Sequence, residues 1–290
     1  MNSGVLFTLS SYVLWGLFPL YFRSINMVDA TEIIGHRIIW SAILIFFILF
    51  LLKQWDWLKK ACRGRIILIF FCSSFLLAIN WGTYVYAIVH DRTLEASLGY
   101  FINPLISVAL GAYFLKEKLR SLQKVCVLLA LIGVIWITWK TGSAPWLGLT
   151  MATTFAVYGL IRKTAPLGSI EGLALETLIL TPVALGFLAW LYTQNILAFT
   201  TAPASIQLLL IAAGPITTIP LLLFASGVRR INYSTVGIIQ YVSPSMVFLL
   251  GVFAFHEPFN VTLFIGFLFI WTAVLLFTFD SIRHSKLKKR

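Results

Sequence analysis

The sequence predicts an all-α membrane protein of ten transmembrane helices, arranged as two inverted five-helix repeats around a central cavity. Three observations carry that prediction. Hydrophobic residues make up 60% of the 290 and charged residues 11%, with a mean hydropathy of +0.93; a soluble domain has about half apolar and about a quarter charged residues. Apolar runs of the roughly 20 residues needed to cross a bilayer recur ten times, joined by short loops. All but Arg23, Arg37, Arg92 and Lys140 of the 22 Lys and Arg fall on alternate loops and their helix ends, which is the positive-inside pattern and places both termini in the cytoplasm. That pattern accounts for the net charge of +12 without a nucleic-acid partner, and the cluster at residues 286–290 is expected to meet anionic lipid head groups.

The expected spans are 4–22, 33–52, 66–89, 96–115, 122–139, 146–161, 173–192, 206–228, 235–255 and 261–279. The first is read as a span and not a cleaved leader, because it lacks a basic start and a small-residue cleavage site. Residues 94–119 and 234–259 follow one plan at a shift of 140: Pro104 meets Pro244, Gly111 meets Gly251, and Glu117 meets Glu257. This divides the chain into a first repeat at 1–140, a second at 141–280 and a basic tail at 281–290. A proline inside a membrane helix frees the carbonyl one turn earlier, and in hydrocarbon that group must face protein or a watery cavity. Helix breaks are therefore expected at Pro104 and Pro244. Tyr100 and Asn103 precede the first, and Gln240, Tyr241 and Ser243 the second, so these are candidate binding residues between the halves.

In chain order, the first span offers Tyr12, Trp15, Gly16 and Pro19, with Trp15 as a candidate for the pathway; the sixth answers with Tyr158 and Gly159. The second span carries Glu32, His36, Arg37 and Trp40. At a shift of 139 the seventh span sets Glu171 against Glu32 and Glu176 against Arg37, so matched intramembrane positions carry opposite charges. Charged groups there are functional candidates: Arg37 for an anionic group of a substrate, Glu176 for a cationic group or a proton. The competing reading is that each snorkels to its nearer interface. His36 and Glu176 are the candidates for proton coupling.

The third span places Asn80, Trp81 and Tyr84 within one helical face, a surface of amide, indole and phenol suited to a ligand with apolar and hydrogen-bonding parts. Its other aromatic, Tyr86, fits an interfacial belt, and the helix ends at His90, Asp91 and Arg92. The eighth span is expected to be interrupted by Gly214, Pro215 and Pro220. Glu117 and Glu257 are expected to be architectural, each offsetting the amides at the start of the following span, with Pro258 suited to a helix start. Cys62, Cys72 and Cys126 have no metal or disulfide spacing.

At this point the chain resembles a known family. The ten spans as a five-plus-five repeat, the segments Glu95-Ala96-Ser97-Leu98-Gly99-Tyr100-Phe101-Ile102-Asn103-Pro104 and Gly237-Ile238-Ile239-Gln240-Tyr241-Val242-Ser243-Pro244, and the glutamate ending each look like the drug/metabolite transporter superfamily. Glu32 to Trp40, Leu94 to Pro104, and Glu176 with Pro182 look more closely like the RarD branch of its EamA-repeat proteins, which carries the label of chloramphenicol-sensitivity permeases. The resemblance implies a multi-pass carrier of the bacterial inner membrane, an exporter of small metabolites or drugs, with its cavity lined by the first, third, fourth, sixth, eighth and ninth spans.

The residues themselves support a secondary carrier working by alternating access, with the two halves rocking about a midplane site. There is no phosphate-cradling G-x-x-x-x-G-K-[ST] loop, so no ATP drive within the chain, and no cofactor or metal is expected. The expected partners are a small-molecule substrate and membrane lipids, with self-association as a homodimer left open. The alternatives are an integral-membrane enzyme acting on a lipid or isoprenoid, which would need a cluster of His, Asp and Glu that this chain's four scattered histidines do not form, and a passive small-solute channel.

Overall fold

The computed structural model describes residues 2–53, 55–61, 63–90, 92–142, 146–256 and 261–287. Cys62, Asp91, Glu257, Pro258 and residues 288–290, singled out above, lie outside the described residues. The remainder is helical: α1 (Ser3–Gly16), α2 (Phe18–Ser24), α3 (Ala30–Leu52), α4 (Trp57–Ala61), α5 (Gly64–Val89), α6 (Thr93–Phe114), α7 (Ser121–Thr141), α8 (Trp146–Thr164), α9 (Ser169–Thr193), α10 (Ala198–Thr201), α11 (Ala204–Val228), α12 (Tyr233–Gln240), α13 (Val242–Phe253) and α14 (Val261–Leu287). Among the described residues nine stretches are long and apolar enough to cross a membrane. The tenth expected span, α8, is not among them. Its 19 residues include four threonines and end in Arg162, Lys163 and Thr164, and it packs between α5 and α6.

The two repeats are interleaved. Following the main packing contacts, α1 lies against α11, α11 against α3, α3 against α9, α9 against α5, α5 against α8, α8 against α6, and α6 against α12, which with α13 returns to α1. These helices thus close a ring, while α7 and α14 pair outside it beside α6. Nearly every strong contact joins one repeat to the other. The repeat shows in the backbone as well. The chain leaves α3 and α9 through left-handed residues, Lys53 (φ 52°) and Asn195 (φ 57°), and ends the fourth and ninth spans at Lys116 (φ 53°) and His256 (φ 54°).

The prolines act differently from expectation. Helix α6 runs through Pro104, and α11 runs through Pro215 and Pro220. The ninth span is interrupted at Tyr241, three residues before Pro244, and the first at Leu17, two before Pro19. Those two interruptions are neighbours, since a Cβ on Gly16 would strike Met246 of α13. Pro104 instead sits where α12 crosses α6: a Cβ on Gly237 would lie 2.7 Å from the Pro104 carbonyl. Close backbone packing of this kind needs small residues.

Glu117 is architectural, but it serves a different helix from the one expected. Its carboxylate accepts from the Tyr233 and Ser234 amides at 2.6 and 2.8 Å and from the Ser234 hydroxyl at 2.5 Å. It therefore caps α12, the counterpart of its own span in the other repeat, and satisfies amides that the helix itself cannot. Basic residues on the face that holds both termini are used in the same way. Lys163 donates to the Val228 and Ile231 carbonyls at the end of α11, and Arg229 to the Ala165 and Leu167 carbonyls after α8.

Candidate functional site

Three polar groups join the helices of the ring. The first surrounds Arg37, in the part of α3 farther from the termini. Arg37 is 8% exposed. Its Nε donates to the Thr217 hydroxyl of α11 at 2.9 Å. The guanidinium lies 4.6 Å from the centre of the Trp81 ring and 5.8 and 5.9 Å from Phe18 and Phe22. The titratable groups facing it are the phenols of Tyr21, Tyr84 and Tyr100. Three expected site residues, Trp81, Tyr84 and Tyr100, are thus gathered around a fourth by α3, α5 and α6. Thr217 and Thr218 stand out in the sequence as polar residues between the two prolines of the eighth span, whereas Tyr21 carries no signal beyond its nearness to Pro19.

The second group spans α1, α6 and α12. The Ser107 hydroxyl lies 3.4 Å from the Asn103 Oδ1 and 3.3 Å from the Gln240 Oε1. The Tyr12 hydroxyl adjoins the Gln240 amide, yet the Tyr12 Oη and Gln240 Nε2 are buried with no hydrogen-bond partner. Buried polar atoms left open in this way are costly, so this cluster has capacity for a ligand or water. Tyr241 is turned away from it and reaches the Phe101 carbonyl at 3.3 Å.

The third group lies toward the termini. Glu176 is 1% exposed and stands 3.6 Å from Nη1 of Arg162, itself 1% exposed. Ser73 donates to Glu176 Oε1 at 2.7 Å, and Tyr158 to Oε2 at 3.3 Å. The other arm of Arg162 donates to the Ser169 carbonyl at 3.0 Å, and its guanidinium lies over Phe70 at 5.5 Å. Glu176 does not snorkel. The partner was missed because Arg162 was counted with the loop cations, yet the 139-residue shift that sets Glu176 against Arg37 also sets Arg162 against Arg23. Arg23 is exposed and lies over the Phe255 ring at 4.5 Å.

Between the first and third groups is a void of about 10 Å³, lined by Ser41, Trp81, Glu176, Thr177 and Thr217 among others, room for about one water. A larger recess of about 240 Å³ lies on the terminal face, lined by Lys53, Asp56, Lys60 and Glu171 among others.

Three expected site residues are taken up by the fold. Trp15 packs edge-on against Phe155 and Tyr12 at 5.5 and 5.1 Å. Asn80 donates to the Met151 carbonyl at 2.8 Å and the Thr154 hydroxyl at 3.2 Å, tying α5 to α8. His36 accepts from Trp40 Nε1 at 3.3 Å and lies 3.5 Å from Glu32, whose carboxylate caps α10 through the Ala198 and Phe199 amides at 2.9 Å each. Among the described residues no three His, Cys, Asp or Glu are grouped to hold a metal ion.

Comparison with known proteins fits this architecture. A family model described as the EamA-like transporter family matches twice, at residues 2–139 and 142–279. The chain is 43% identical to the uncharacterized transporter YojE of Bacillus subtilis over 99% of this chain and 97% of that one. It is 39% identical to the protein RarD of Escherichia coli, over 97% and 95%, and 32% identical to the chloramphenicol-sensitive protein RarD of Pseudomonas aeruginosa, over 97% and 95%. A solved crystal structure shares the fold, with a TM-score of 0.67 at 18% identity, over 94% of this chain and 96% of that chain.

Proposed function

The chain belongs to the EamA-like transporter family, and from that premise we propose that it is a secondary-active carrier of the bacterial inner membrane, with both termini cytoplasmic, exporting small metabolites or drugs by alternating access. It is a multi-pass membrane protein of transporter lineage. The observation that carries the finer reading is the set of polar groups between the ring's helices: buried donors without partners on Gln240 and Arg162, and a guanidinium at Arg37 with a single hydrogen bond. Arg37, Trp81, Tyr84 and Tyr100 form one substrate-binding layer, and Asn103 with Gln240 the next. The Arg162–Glu176 knot closes the path toward the termini, with only a single-water gap beneath Trp81. In a secondary carrier working by alternating access, a site barred toward one face is one state of the cycle. Glu176 is the proton-coupling candidate, since protonation would release Arg162 and open that barrier. His36 is a weaker one, being bound to Trp40 and Glu32.

Proteoliposomes loaded with a solute panel that includes chloramphenicol, the compound in one relative's name, test this directly. The expected result is saturable counterflow of at least one small amphipathic solute. Linear, non-saturating flux would favour a channel, and the absence of flux above empty liposomes across the panel would oppose both.

A further inference from the structure

We propose that Arg37 is an anion-binding residue and that the transported solute is an organic acid, a monoanionic carboxylate joined to an apolar or aromatic body. This inference rests on the carrier reading. Arg37 is buried, and of its five N–H donors one, on Nε, is bound, to Thr217. The groups around it are aromatic rings and three tyrosine phenols, none of which carries a negative charge at neutral pH. Each buried carboxylate of the described residues is engaged elsewhere: Glu32 with the α10 amides, Glu176 with Arg162, Ser73 and Tyr158, and Asp280 with Arg120.

A cation at this depth is retained at a cost unless something neutralises it. The matched position in the other repeat shows what an internal solution looks like. There an acid, Glu176, meets a cation, Arg162. In the first repeat both positions are cations, Arg37 and Arg23, and Arg23 faces away over Phe255. The first repeat therefore lacks its acid, and the geometry lets a ligand bring it. The guanidinium fork suits a carboxylate held by two parallel N–H bonds, and the indole of Trp81 with the phenyl rings of Phe18 and Phe22 provides an apolar wall for the rest of the molecule. A single positive charge with no second cation beside it matches a monoanion better than a dianionic phosphate.

The test uses purified full-length protein and matched pairs that differ in charge alone, phenylacetate against phenylacetamide and indole-3-acetate against its amide. Binding is read by quenching of tryptophan fluorescence, to which Trp81 contributes, and by counterflow in proteoliposomes. At least one acid is expected to bind about tenfold to a hundredfold more tightly than its amide, the range of a charge-assisted hydrogen-bond pair. Arg37→Gln should abolish that preference, and Arg37→Lys should restore part of it. No acid binding above its amide in the wild-type protein overturns the inference, whether or not the variants fold. Saturable counterflow of neutral or cationic solutes that is unchanged in Arg37→Gln would also overturn it, while leaving the carrier reading intact. Absence of counterflow by any solute would instead strike at the carrier reading.

Discussion

Arg37 and Glu176 occupy the same place in the two repeats, and their surroundings differ in one respect. Glu176 has a cation of its own chain against it and two hydroxyls on its oxygens, whereas Arg37 has a threonine and a set of aromatic rings. One charge has an oppositely charged partner within the fold, and on the proposal above the other awaits a ligand. The lesson is that an internal repeat gives a reference state: the copy that satisfies its charge internally identifies, by contrast, the copy that does not.

The comparison can be broken most strongly at the settled pair. Arg162→Ala leaves Glu176 buried with no cation, and losing one partner of a buried pair costs about 3–5 kcal/mol; the thermal midpoint of the detergent-purified protein should fall accordingly. Replacing both residues with methionine should restore most of that loss, because no buried charge remains. Next is the cap between the repeats. Glu117→Ala removes the acceptor for the first amides of α12 and should cost about 1–2 kcal/mol, read by the same midpoint and by faster amide exchange at Tyr233 and Ser234. Asn80→Ala breaks the link from α5 to the Met151 carbonyl and should cost about 1 kcal/mol, with little change in transport if Asn80 serves packing alone. The smallest stability effect belongs to Arg37→Gln, expected within about 1 kcal/mol of wild type, because it removes a charge that has no internal partner.

Much of the fold was legible in the sequence because hydrocarbon imposes a simple demand. Spans must be long and apolar, and their loops sort by charge. The 140-residue spacing of Pro104 and Pro244 exposed the repeat. What the sequence could not convey was interleaving: strings read in order suggest two halves side by side, while packing gave α8 to α5 and α6, and Glu117 to α12. Proline also misleads when taken alone, since Pro104 lies within a continuous helix whereas the chain bends ahead of Pro19 and Pro244. Of the site, the aromatic residues around Arg37 were readable as polar faces of membrane helices. Arg162 was not, because a cation near a helix end looks like part of a loop until a buried acid is seen across from it.

The most direct measurement is the ligand-induced shift in thermal midpoint of wild type and Arg37→Gln, since whatever binds the folded state stabilises it by mass action. An organic acid at about 100 times its dissociation constant should add roughly 2.7 kcal/mol to the wild-type protein and nothing to Arg37→Gln, while the two proteins without ligand unfold at nearly the same temperature. An Arg37→Gln protein that is destabilised as much as Arg162→Ala in the absence of any ligand would contradict the account, because it would mean that Arg37 finds its partner within the fold.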